Sequence, residues 1–297
     1  GGSPLPEILK AIVLHVEDAL TPLRSSILTY SPLTKSLHVG AMPNLPESLV
    51  ELCEGMPVKL GYGVCSSACA LGRRVICVDV LESPECASMR DLALQAGVRA
   101  CWSEPIRAST GEILGTFATY ASQPHQPSAA EHAVIADANS LAAIAIGRHL
   151  SQAQQLQAQR RQFLIFDAVA EALVVQDAHG SITDCNSAAE RIFRKPVAAI
   201  VGSSWADHSL LWVDGEGQSL SAERMPWLLS LRSRVAQRGV VIGLKREGEG
   251  MSWWSVNTSL TEDPVGGQTM VVSCLADITR SRLLEQELSR QNQLLER

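Results

Sequence analysis

Gly97-Val98-Arg99-Ala100-Cys101-Trp102-Ser103-Glu104-Pro105-Ile106, followed closely by Gly111-Glu112-Ile113-Leu114-Gly115-Thr116-Phe117-Ala118-Thr119-Tyr120, decides how the first half of this chain folds. Ala100–Arg107 and Ile113–Tyr120 are rich in apolar, β-branched and aromatic residues. Ser109-Thr110-Gly111-Glu112 between them is turn chemistry, so the stretch predicts an antiparallel hairpin. Side chains alternate across a strand, which sends Cys101 and Trp102 to opposite faces.

Toward the N-terminus, Leu5, Ile8, Leu9, Ile12, Val13, Val16 and Leu20 keep helical spacing. Ser25–Tyr30 and Leu37–Gly40 read as two further strands, and 47–54 as a short helix. Gly61-Tyr62-Gly63 closes a strand and opens a helix over 65–71, which Gly72 stops. Val75–Val80 reads as a buried strand, and 83–97 as a loop and helix. Helices therefore flank a mostly antiparallel sheet, the α+β class.

Beyond Tyr120, Ser128 and Glu131 have capping-box spacing and start a helix. No breaker follows until about residue 176, and 151–162 are polar, strong helix formers, so one helix of roughly 35–40 residues is predicted. Ala172–Gln176 and Ser181–Asp184 flank the turn Asp177-Ala178-His179-Gly180. Short helices follow at 186–194 and 196–201, then mixed loop and helix over 204–238. Val240–Arg246, Trp253–Leu260 and Thr269–Ala276 read as strands, and 277–297 as a closing helix. The expected organisation is a first domain over 5–150, a helical linker over 151–166, a second domain over 167–280 and a helix over 281–297.

The 297 residues are 46% hydrophobic and 19% charged, enough for two cores. A net charge of −6 argues against nucleic acid as a partner. The longest apolar run, Leu141–Ile146, falls far short of the ~20 residues that span a bilayer. No signal-peptide pattern opens the chain, so the expected location is cytoplasmic, without membrane insertion. Eight cysteines (53, 65, 69, 77, 86, 101, 185 and 274) sit in apolar text and read as buried, reduced thiols. Metal sites usually show C-x₂-C pairs; Cys65-x₃-Cys69 comes nearest, so no metal site is expected. No phosphate-binding loop, dinucleotide fingerprint, kinase signature or catalytic triad occurs, and no catalytic residue is assigned.

Two stretches resemble known families. Residues 45–148, through the hairpin quoted above and Ile144-Ala145-Ile146, resemble GAF domains of bacterial signalling proteins. The family's Gly-Ser-Cys-Gly helix entrance is here Gly63-Val64-Cys65-Ser66. Residues 163–280 resemble PAS domains: Asp177 and Gly180 in the first hairpin, then Asp184-Cys185-Asn186-Ser187-Ala188-Ala189-Glu190, Arg246, Trp254 and Asn257 on later strands, and the closing triplet Asp277-Ile278-Thr279. The whole is similar to the sensory regions that precede cyclic-di-GMP synthase, phosphodiesterase or histidine kinase domains.

The resemblance implies a non-enzymatic input module that binds a small molecule or senses redox state. It would control a C-terminal effector in cis, with cyclic-di-GMP turnover as the expected output. The cofactor is not specified: the Cys-His pair common in bilin-binding GAF domains and the Asn-Cys-Arg of flavin-binding PAS relatives are both missing. The expected GAF pocket is Tyr62, Cys65, Asp79, Cys101, Trp102, Glu104 and Thr116. The expected PAS pocket is Asn186, Phe193, Trp205, Trp254 and Asn257, with Asn186 also capping its helix. Asp277, Ile278 and Thr279 would couple sheet to helix.

Two other readings stay open: a thiol oxidoreductase similar to the GAF-fold free methionine sulfoxide reductases, acting through Cys65 and Cys69 at a helix start, and a pure dimerisation scaffold. Leu284, Leu288, Gln291 and Leu295 follow coiled-coil spacing. With Leu141 and Ala145 of the long helix they are expected to hold a parallel homodimer.

Overall fold

The computed structural model describes residues 3–295 except Ser209, Glu247, Glu249 and 264–266. The chain divides into two compact units, Gly1–Leu156 and Gln157–Arg297, each an antiparallel sheet with flanking helices.

In the first unit α1 (Leu5–Ala19) leads to β1 (Arg24–Ser31) and β2 (Ser36–Ala41), then α2 (Glu47–Cys53), β3 (Met56–Pro57), α3 (Val64–Leu71) and β4 (Val75–Cys77). A 3₁₀ turn, Pro84–Met89, precedes α4 (Arg90–Gln95), β5 (Ala100–Arg107), β6 (Ile113–Ala121) and the start of α5 (Ala129–Ala168). Sheet order is β3-β2-β1-β6-β5-β4. Gly63 and Gly72 bound α3 at φ +87° and +62°, conformations that glycine adopts without Cβ strain.

This sheet is buried on both faces. On one, Ile27, Trp102 and Phe117 pack against Leu9, Val13 and Val16 of α1 and Ile135, Ala138, Ala142 and Ile146 of α5. On the other, Leu28, Cys101, Ala118 and Tyr120 meet α2, α3 and the segment around α4. Buried Glu17 of α1 accepts the Ser25 N–H at 2.8 Å and the Asn44 amide at 2.5 Å, so its carboxylate is fully engaged. The strand expected over Val75–Val80 stops at Cys77. There the Asp79 carboxylate accepts the Leu81 N–H at 3.0 Å, a local turn that competes with the ladder.

The long helix forms as its capping box predicts: Glu131 N–H donates to Ser128 Oγ at 3.3 Å and Ser128 N–H to Glu131 Oε2 at 2.6 Å. It runs unbroken for 40 residues, so the segment 151–166 is helical throughout.

The second unit contains β7 (Ala172–Gln176), β8 (Ile182–Cys185), α6 (Glu190–Phe193), α7 (Val197–Ile200), β9 (Leu211–Asp214), α8 (Pro226–Ser233), β10 (Val240–Lys245), β11 (Ser252–Glu262), β12 (Thr269–Asp277) and α9 (Thr279–Leu295). Sheet order is β8-β7-β12-β11-β10-β9. Strand β9 lies in the stretch expected to be loop and helix; four residues pinned by a tight Asp214–Gln218 turn are too few to show a period. A TM-length apolar helix is absent among the described residues.

Gly115 marks the closest approach of β1 and β6, where a Cβ would run into the Leu28 carbonyl oxygen. Gly115→Ala is expected to destabilise the first unit by about 1–3 kcal/mol through overpacking. Gly147→Ala, in an α5 site whose nearest neighbour is 4.0 Å away, should stabilise by about 0.5–1 kcal/mol. Urea unfolding of both variants checks the pair.

Candidate functional site

In the first unit a cavity of about 60 Å³ lies on the α3 side of the sheet, lined by Cys53, Cys65, Cys86, Cys101, Met89 and Tyr120 with aliphatic neighbours. Of the seven residues expected to line it, Cys65 and Cys101 do so. Thr116 is fully buried beside Cys65, and Tyr62 packs at the edge of that core. Trp102 and Glu104 sit on the opposite face, a direct result of strand alternation. Trp102 stacks on His125 at 5.5 Å between centroids, and Glu104 pairs with Arg74 at 2.6 Å and lies 3.6 Å from His132. Asp79 turns outward to Arg99 at 2.8 Å, which holds its carboxyl below the usual range.

Cys65 and Cys69 are free and buried, and the activated thiols that the oxidoreductase alternative needs are not found at the α3 N-terminus. Burial raises the Cys65 pKa, against hydrogen bonds from Ser103, Tyr120 and Thr116, and pushes Cys69 up to about 11. Desolvation outweighs the helix dipole here. Sequence spacing gave no sign of a second group. Cys77 and Cys101 are register partners on β4 and β5, and the 3₁₀ turn lays Cys86 over them. The three sulfurs lie within 4.8 Å of one another, and the Cys86 thiol donates to Cys77 Sγ at 2.9 Å. Hydrogen bonds from Cys101 and Cys86 draw the Cys77 thiol well below its ordinary pKa and leave Cys101 raised.

The second unit holds a cavity of about 260 Å³ lined by Gln176, Trp205, Trp212, Met225 and Trp227, among others. Trp205 stacks on Trp227 at 4.1 Å, and Trp212 meets both edge-on. Gln176 Oε1 and Trp205 Nε1 are buried without partners among the described residues. Of the residues expected here, Trp205 lines the cavity and the Phe193 ring lies tilted against it at 4.6 Å. Trp254 is core, and Asn257 accepts the Gly239 N–H at 2.9 Å; neither reaches the cavity.

Asn186 does a different job from the expected cap. It is 1% exposed, and its Oδ1 accepts the Leu173 N–H at 2.9 Å. Its Nδ2 faces the carbonyls of Phe166, Val169 and Glu171 at 3.3, 3.1 and 2.9 Å. The amide thus staples the end of α5 to β7, and its side chain makes no cap bond.

At the other end, adjacent tryptophans split across β11. Trp254 points into the core, and Trp253 lies outside under the Arg282 guanidinium at 3.9 Å. Trp253 N–H donates to Thr279 Oγ1 at 2.8 Å, Ile278 N–H to Trp253 O at 2.9 Å, and Thr279 N–H to Asp277 Oδ1 at 2.9 Å. Arg282 also donates to the Gly215 carbonyl just past β9. Leu141, Leu284, Leu288 and Gln291 are exposed and Ala145 half-buried; the side chain of Leu295 lies outside the described residues.

Two sheets, each enclosing a small cavity beneath helices, define a pair of sensory folds. Residues 2–147 match the family described as GAF domain and residues 166–283 the family described as PAS fold. The chain carries a GAF and a PAS domain in tandem, the arrangement of a sensor input module. It is 32% identical over 187 residues to the methyl sulfide methyltransferase-associated sensor of Methanosarcina acetivorans, a match that covers 62% of this chain and 19% of that protein. Among solved structures it is similar to the E. coli DhaR(N)-DhaL complex (14% identity, TM-score 0.44, 91% of this chain and 85% of that one). It is also similar to the GAF domain from Acinetobacter phosphoenolpyruvate-protein phosphotransferase (14%, 0.39, 51% and 87%).

Replacing Asn186 by Ala leaves one part-buried N–H and three carbonyls without this partner. The expected loss is about 2–3 kcal/mol, against ~1 kcal/mol for a lost cap. Chemical denaturation followed by tryptophan fluorescence of the second unit separates the two values.

Proposed function

We propose that the PAS domain binds a small, flat, mostly apolar molecule carrying both a hydrogen-bond donor and an acceptor, and that α9 passes its presence to an effector in cis. The observation that carries this reading is that Gln176 and Trp205 both line one tryptophan-lined cavity and each holds a buried polar atom, the acceptor Oε1 and the donor Nε1, without a partner among the described residues. A buried polar group without a partner costs about 1–3 kcal/mol; a heterocycle that satisfies both recovers that cost and stacks on indole. A cavity of about 260 Å³ admits a one- or two-ring heterocycle. The GAF cavity, at about 60 Å³, takes nothing larger than a few waters or an ion.

The route outward follows contacts. Trp212 lines the cavity and lies on β9; the residue after β9, Gly215, is held by Arg282 of α9, which also covers Trp253. A ligand that shifts Trp212 changes the seat of α9, and the Asp277-Ile278-Thr279 bonds fix where that helix starts. The exposed leucines of α9 and α5 support a homodimer as the output state. Cyclic-di-GMP turnover remains the effector this reading expects, and the fully buried Cys65 weighs against the oxidoreductase alternative.

Titration with adenine, xanthine and lumazine is expected to quench the tryptophan cluster for at least one of them, with Trp205→Phe weakening that binding about tenfold. Native mass spectrometry of protein purified from cells should show a bound heterocycle. Empty protein together with no quenching by any of the three would refute the ligand assignment. Thr279→Val should leave quenching intact and raise amide exchange across 279–290; unchanged exchange would refute the coupling. Sedimentation at micromolar concentration is expected to give a dimer that L284E/L288E dissociates.

A further inference from the structure

We propose that Cys77, Cys86 and Cys101 form a three-thiolate site for a single thiophilic d¹⁰ cation, Zn(II) or Cu(I), inside the GAF domain. The site lies in the other domain from the proposed heterocycle pocket and is independent of it.

Geometry supports one ion. A metal–sulfur bond of about 2.3 Å places sulfurs about 3.8 Å apart around a tetrahedral ion and about 4.0 Å apart around a trigonal one. The three sulfurs here lie within 4.8 Å of one another, with Cys77 and Cys86 at 2.9 Å. Small rotations of two side chains therefore reach either arrangement. Iron–sulfur clusters spread their thiolates over separate irons and need more room between sulfurs than this.

The donors are preorganised. Cys77 and Cys101 are fixed opposite one another by strand pairing, and Cys86 already lies 2.9 Å from Cys77, so the sulfurs need only small side-chain rotations to even out their spacing around an ion. Cys86 rides on the turn Pro84–Met89, whose Ala87 and Ser88 are exposed along with nearby Leu81 and Glu82. That segment is an entry path at the surface of an otherwise buried site. The cavity beside Cys86 and Cys101 is lined by Cys53, Cys65, Met56 and Met89, a soft, sulfur-rich surround that disfavours hard cations such as Mg²⁺ or Ca²⁺.

Two considerations pull apart on the metal. Three thiolates with Zn(II) leave a net charge of −1 and with Cu(I) −2, and burial penalises the larger charge. Zn(II), however, takes four ligands in structural sites, and no fourth His, Cys, Asp or Glu joins the three among the described residues. Cu(I) is content with three.

The reduced, metal-free chain, kept anaerobic, is titrated with Cu(I) against bicinchoninate and separately with Zn(II) against 4-(2-pyridylazo)resorcinol. One equivalent per chain of at least one ion is expected. C77S, C86S and C101S should each weaken it roughly 100-fold or more, while C69S and C185S leave it unchanged. X-ray absorption of the loaded wild type should show three sulfurs at about 2.3 Å, with one added light atom for Zn(II) only. Absence of uptake of both ions, a nitrogen- and oxygen-dominated shell, or uptake that survives the triple serine variant would overturn the site. Should the single variants fail to fold, the wild-type absorption spectrum still decides.

Discussion

A sheet buried on both faces is the constraint that the GAF half depends on. Because α1 and α5 cover one face and α2, α3 and the 81–97 segment the other, strand residues cannot hide a mismatched side chain in solvent. Each position on β5 and β6 is committed to one core. Cys101 belongs to the sulfur-lined side and Trp102 to the α5 side. The same alternation places Thr116, Ala118 and Tyr120 near Cys65, and turns Phe117 toward α1 and α5. Ser26 and Tyr120, linked by a 2.9 Å hydroxyl pair across β1 and β6, close the polar gap that such a dry interior would otherwise leave.

Much of this was legible in the sequence. Hairpin turns, the Ser128 and Glu131 capping box and the two-fold alternation of β5 and β6 are local signals, and local signals set strand and helix positions. What stayed hidden is non-local. Cys77, Cys86 and Cys101 are separated by 9 and 15 residues, with a turn, a helix and a strand boundary between them. No spacing rule joins them; strand register and the path of one 3₁₀ turn do. The expected GAF pocket comes together only in part, for the same reason. Glu104 and Trp102 lie in the right strand on the wrong face, and Asp79 was drawn to Arg99 at the rim. Sequence alone ties Asn186 to its neighbour, the helix it precedes. Its actual partners are carbonyls 15 to 20 residues upstream.

The PAS half handles polarity differently at its two ends. Where the chain enters, the Asn186 amide meets one donor and three acceptors, a fully satisfied staple that resists change. Around the tryptophan cluster the polar groups are left incomplete: Gln176 gives its amide to Gly180 at 2.9 Å, while among the described residues its oxygen and the Trp205 N–H have no partner. One buried amide is thus bonded four times over while another, beside the tryptophan-lined cavity, is half-satisfied.

The proposed coupling to α9 would rest on a strand that turns one of two adjacent tryptophans away from the core. Had β11 carried a single aromatic, either the core or the helix seat would have lost its anchor. With Trp254 inside and Trp253 outside, β11 fills the core and still presents an indole face to Arg282. Arg282 bridges that indole to Gly215, at the far end of the sheet order, so the first turn of α9 rests on β11 and on the end of β9 together. A two-point seat of this kind registers relative movement of the two strands. A helix held by Thr279 alone would follow β11 and report nothing of β9 or of the cavity wall that Trp212 forms. Coupling needs an element whose position both sites bias, and in the proposed route Arg282 gives the start of α9 contacts to both strands.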